Sequence, residues 1–120
     1  NHHFALYAPE HVPYAINRYV KETNRLYGVL NKRLADHEFL AGDYSIADMA
    51  SYPWIVPHKR QGQDLADFPH RERWFAAIKA RPGTMRAYEA GRSIQMRKPE
   101  ELTAEEKRLL FGQDSSVVSR

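Results

Sequence analysis

The chain has 120 residues, 18 basic and 15 acidic side chains, a net charge of +3 and no cysteine. This length fits one domain able to bury a core without staples, and the missing cysteine excludes disulfides, thiolate metal sites and a cysteine nucleophile within these residues. The charges are intermixed rather than gathered on one face as nucleic-acid binding would want, no apolar run approaches the ~20 residues of a bilayer span, and the start NHHFALYAPE lacks the features of a signal peptide.

Alternating β-branched runs are missing and helical spacing dominates, so the expected fold is all-α. Asn1 to Tyr7 read as the last turns of an earlier helix cut at its front. With no initiator methionine, the chain reads as a piece of something longer. From Val12 to Leu34 the apolar positions Val12, Ile16, Tyr19, Val20, Tyr27, Leu30 and Leu34 recur at mostly three- and four-residue steps. This predicts one long amphipathic helix, opened by Pro9 and Pro13 near its first turn.

ADHEFLAGD breaks the pattern, and Ser45 to about Val56 predicts a second helix. Ile46, Ala47, Met49, Ala50, Tyr52, Trp54, Ile55 and Val56 make it apolar nearly all round, so a globular protein should surround it with other helices. Pro53 inside it removes a backbone donor and should kink the axis. HKRQGQDLADF reads as a polar loop with two apolar anchors, Leu65 and Phe68. Pro69 opens a helix through about Ala80 that buries Trp74, Phe75 and Ile78. Pro82 ends that helix and starts a shorter one, with Met85 and Tyr88 inward, that stops near Gly91. Thr103 with Glu106 three residues on predicts a short capped helix, and the end, GQDSSVVSR, reads as mobile.

Ser45 and Asp48 are the most conspicuous polar pair. A serine at a helix N-cap accepts from the N–H three residues on, and an acid at the third helical position accepts from the serine's own N–H. Asp also suits the positive helix end, and Tyr44 with Met49 can close a hydrophobic staple. A catalytic reading fails on inventory, because no histidine lies near Ser45 in sequence and one carboxylate makes no acid–base pair. The pair reads as structural.

His2 and His3 are adjacent and point in different directions on a helix. His11, His37, His58 and His70 show no ligand spacing, so no metal is expected. The basic cluster Lys79, Arg81 and Arg86 reads as a solvated helix face.

FLAGDYSIADMASYPW, preceded by RLYGVLNKRLADHE, resembles the C-terminal helical domain of cytosolic glutathione transferases. There a G-x-x-x-S/T-x-A-D segment opens a buried central helix, and Gly42, Ser45, Ala47 and Asp48 match it. PYAINRY, YPWI and RPGTMRAYE are most similar to the bacterial Nu-class group and to the yeast nitrogen-regulating prion protein. The resemblance implies an all-α bundle over residues 1–95 with its first helix truncated and a buried central helix from Ser45. It also implies a C-terminal extension over residues 96–120 and a missing N-terminal thioredoxin-like domain that would hold most of the glutathione site.

By the same resemblance Arg18 reaches the glutathione carboxylates. Read alone, Arg18 and Glu22 are equally an i,i+4 surface pair. The apolar co-substrate pocket would draw on Asn1, Phe4, Tyr7, Tyr14 and Trp54, although aromatics at helical spacing usually pack in a core. The implied whole protein is cytoplasmic and homodimeric. It uses glutathione as co-substrate and attacks a small electrophile or a disulfide through the glutathione thiolate, with no metal, nucleic acid or membrane. This chain alone would be inactive. The competing reading is a non-catalytic docking or regulatory module of the same fold, which similarity of fold cannot exclude.

Overall fold

A computed structural model describes residues 1–94 and 101–112. Prolines open three of its helices, where their missing N–H costs nothing and their fixed φ is already helical. After a π-helical turn at His3–Tyr7, α1 runs Pro13–Arg33 and α2 runs Ile46–Ile55. A 3-10 turn at His58–Gln61 precedes α3 at Pro69–Lys79 and α4 at Pro82–Arg92, and α5 follows at Ala104–Phe111. Among the described residues there is no strand. Two isolated bridges, Phe39 with Gly42 and Ala41 with Asp43, tighten the connection between α1 and α2. Gly42 there takes φ +100, which a Cβ would strain.

The chain divides into two units, Asn1–Glu89 and Ala90–Arg120. In the first, the buried core joins Tyr27 and Leu34 to Tyr52 and Ile55 of α2. Leu65 and Phe68 of the following loop and Trp74 and Ile78 of α3 complete it. The two loop anchors and the α3 face thus lie where the sequence predicts them. In the second unit α5 is capped by Thr103 and Glu106: the Thr103 N–H donates to the Glu106 carboxylate at 2.8 Å, and the Glu106 N–H donates to Thr103 Oγ1 at 3.2 Å. The expected loop and tail at 95–100 and 113–120 lie outside the described residues.

Two expectations are corrected. The second helix is not enclosed on all sides: α2 buries Asp48, Tyr52 and Ile55, while Ile46 is 81 % exposed and Met49 and Trp54 are open. The buried face of α2 meets α3 and Tyr27 of α1, and the opposite face has no cover among the described residues. Met85 and Tyr88 are likewise exposed rather than inward, because α4 contributes no buried residue. Tyr88 keeps only an edge contact with Tyr52, at 5.8 Å between ring centres.

The core also holds a charge. Arg71, in the first turn of α3, is fully buried, its guanidinium 3.2 Å above the centre of the Tyr27 ring and 4.8 Å from that of Phe68. None of its guanidinium nitrogens has a hydrogen-bond partner among the described residues. Burial pushes it down to about 10, with the Tyr27 phenol acting the other way. It therefore stays charged at neutral pH, held by the aromatic faces.

Candidate functional site

The serine–aspartate pair forms the expected capping box. Ser45 Oγ accepts from the Ala47 N–H at 3.2 Å, and Asp48 Oδ2 accepts from the Ser45 N–H at 3.0 Å. Asp48 does more than the spacing implies. Its Oδ1 accepts from the Leu40 N–H at 3.0 Å and from the Trp74 indole N–H at 2.8 Å. One fully buried carboxylate thus fastens the loop before α2, the start of α2 and the middle of α3. Burial pushes the Asp48 carboxyl up, but the bonds from Leu40, Trp74 and Ser45 outweigh it and hold the group below the usual aspartate range. With every oxygen occupied and no solvent access, this acid is a structural fastener. Tyr44 and Met49, the expected staple, line one groove, and Tyr44 packs edge-on against Phe39.

Arg18 projects from α1 with its side chain 61 % exposed. Its contact to Glu22 is long, 3.7 Å, because Arg25 already grips both Glu22 oxygens at 2.9 and 2.7 Å. Arg25 holds the Glu22 carboxyl below its usual range. The surface pair foreseen for Arg18 exists, but as the weaker of two claims on one carboxylate.

The aromatic candidates separate. Tyr14 is 82 % exposed at the start of α1, and Trp54 is 75 % exposed near the end of α2, so neither is core. Phe4 is half-buried and stacks on Tyr19 at 5.3 Å, and Tyr7 is half-buried in the same N-terminal turn. Trp54 lines a groove of about 280 Å³ between α1 and α2, opposite Leu26 and Leu30, with Thr23 and Ser51 as polar groups and Tyr27 alongside.

Asn1 and Trp54 are brought together by a residue the sequence reading passed over as loop. The buried Gln61 side chain accepts from the Tyr27 hydroxyl and donates to the Trp54 carbonyl at 2.8 Å, while the Gln61 main-chain carbonyl accepts from Asn1 Nδ2 at 3.1 Å. Burial raises the Tyr27 phenol, against the pull of Arg71, so it remains a protonated donor. Asn1 Nδ2 also reaches Thr23 Oγ1 at 3.3 Å. Gln63 extends the network, donating to the Val20 and Gln61 carbonyls and accepting from Asn24. Gly62 between the glutamines takes φ +70, which turns the backbone so both side chains point inward. That glycine was the only local hint. The partners lie up to 60 residues away.

Among the described residues no three His, Asp or Glu side chains gather as a metal site would require. None of their helices is long and apolar enough to cross a membrane.

An all-helical domain whose second helix starts at a capped G-x-x-x-S-x-A-D segment, with the aspartate buried, defines a class, and comparison with known proteins agrees. Residues 5–82 match the family Glutathione S-transferase, C-terminal domain, and the chain belongs to it. It is similar to the disulfide-bond oxidoreductase YfcG of Escherichia coli K12, 51 % identical over 88 residues that cover 72 % of this chain and 41 % of that protein. A second E. coli K12 protein, the disulfide-bond oxidoreductase YghU, is 42 % identical over 92 residues, covering 70 % of this chain and 32 % of its own length. The glutathione S-transferase-like protein tpcF of Aspergillus fumigatus is 35 % identical over 97 residues, covering 69 % and 43 %. The chain therefore spans less than half the length of these relatives.

Proposed function

We propose that these residues form the helical half of a glutathione-dependent disulfide reductase. In this reading a thioredoxin-like domain binds most of the glutathione and supplies the thiolate. The present domain contributes a carboxylate contact and one wall of the co-substrate pocket. The observation that carries the reading is the state of Arg18. Its guanidinium is solvent-facing on α1 and only loosely held by Glu22, so its donors can fork onto a glutathione carboxylate. The 51 % identity to a protein named as a disulfide-bond oxidoreductase supplies the reaction class.

Asn1, Phe4, Tyr7, Tyr14 and Trp54 serve the co-substrate in this account. Exposed Tyr14 and Trp54 offer apolar surface, and Asn1, fixed by Gln61 and Thr23, offers a polar edge. The open stripe of Ile46, Met49 and Trp54 on α2 suits contact with the thioredoxin-like domain. The intact protein works as a cytoplasmic homodimer. This chain alone turns over no substrate, for want of a thiol-activating group.

The test is glutathione affinity of the intact protein. Arg18→Ala should weaken it roughly 10- to 100-fold, the worth of a charge-assisted hydrogen bond. Unchanged affinity removes Arg18 from the site. Robust thiol-transfer activity in the 120-residue chain alone would overturn the division of labour.

A further inference from the structure

Three charged side chains of α1 stand in one row. Arg18, Glu22 and Arg25 follow one another at steps of four and three residues, so each neighbouring pair meets across one helical turn. The single carboxylate lies between two guanidinium groups that do not share it equally. Arg25 donates from Nε to Glu22 Oε2 at 2.9 Å and from Nη2 to Oε1 at 2.7 Å, a two-point fork. Arg18 approaches Oε2 only to 3.7 Å, beyond hydrogen-bond distance.

Chain direction accounts for the inequality. An acid placed before its cation in a helix is aligned with the helix dipole, and an acid placed after its cation opposes it. Glu22 precedes Arg25 and follows Arg18. The carboxyl registers the same order: it lies below the usual glutamate range chiefly through the Arg25 hydrogen bond, with Arg18 contributing less. Both arginine side chains are mostly exposed, so neither guanidinium is fixed by packing. The positions that face Glu22 from one turn away are Arg18, Tyr19, Arg25 and Leu26. Without Arg25, the one cation left among them is Arg18.

We infer that Arg25 is a positioning residue for the glutathione contact: its fork occupies Glu22 and so leaves Arg18 available to a ligand carboxylate. The inference rests on the glutathione role proposed for Arg18. Arg25 itself need not touch glutathione, and Glu22, once released, competes with the ligand for Arg18.

Two measurements test it. The first is glutathione affinity of the intact protein by calorimetric titration. Arg25→Ala should weaken binding about threefold, the scale of an exposed ion pair closing on Arg18. In a Glu22→Gln background the same change should alter affinity by less than about 1.5-fold, because no competitor remains. An equal loss in both backgrounds would make Arg25 a direct ligand or a long-range charge and overturns the inference. So does parent-like affinity of Arg25→Ala beside a weakened Arg18→Ala. The second measurement follows the carbon-13 signal of the Glu22 carboxyl against pH in the 120-residue chain, without glutathione. Arg18→Ala should raise the Glu22 midpoint more in Arg25→Ala than in the parent. Equal shifts overturn the inference while the glutathione role of Arg18 stands. Should Arg18→Ala bind glutathione as the parent does, that role fails, and this inference fails with it.

Discussion

The chain contains two capping boxes of the same design and very different standing. At Ser45–Asp48 and at Thr103–Glu106 a hydroxyl and an acid three residues apart trade bonds with the main chain. Glu106 accepts from the Thr103 N–H and hydroxyl at 2.8 and 2.9 Å, at an exposed helix start. Asp48 is sealed from solvent and takes two further donors, from Leu40 and Trp74, that belong to other parts of the fold. A capping motif in sequence thus reports a helix start equally well in both places. What it is worth depends on burial and on the distant donors the acid collects.

The largest expected effect follows from Asp48→Ala. It strips three donors of their acceptor inside the core, and each orphaned group costs about 1–3 kcal/mol. A loss of about 3 kcal/mol or more in urea unfolding is expected, and a loss below ~1 kcal/mol would erase the contrast between the boxes. The acid limb of the stability curve comes next. The folded Asp48 carboxyl lies below its unfolded value of about 3.9. Its contribution is complete above that value and disappears as pH falls through the folded one. Unfolding free energy should therefore drop below about pH 4, and Asp48→Asn should flatten the drop.

Ser45→Ala removes one accepting oxygen and should cost about 1 kcal/mol by the same urea measurement, since the Asp48 bonds remain. Thr103→Ala should cost least, about 0.5 kcal/mol of local helix stability, and leave the midpoint of the Asn1–Glu89 unit unmoved. A shift there equal to that of Ser45→Ala would show that the two caps are equivalent after all.

What the sequence disclosed was local. Helix starts at Pro13, Pro69 and Pro82, the Ser45 and Thr103 caps, and the anchors Leu65 and Phe68 are each written within a few residues. What it withheld was set by distant partners. Asp48 meets Trp74 from 26 residues away, and Tyr27 meets Gln61 from 34. Arg71 and Gln61 carry the marks of surface residues yet are buried, because aromatic faces and carbonyls from other elements receive them. The uniformly apolar composition of α2 suggested enclosure, since composition cannot say on how many sides neighbours stand. Arg18 was legible as a position, while its loose hold on Glu22 depended on Arg25 winning the carboxylate.

The bond from Asn1 to Gln61 closes a loop of 60 residues, whereas the Ser45–Asp48 pair closes one of three. Contacts that close so long a circuit form late, after nearer ones have already reduced the chain's freedom. The π turn at His3–Tyr7 buries no residue of its own, so it should be the last piece to settle during refolding. Its amides should also be among the first to exchange with heavy water, well before those around Trp74.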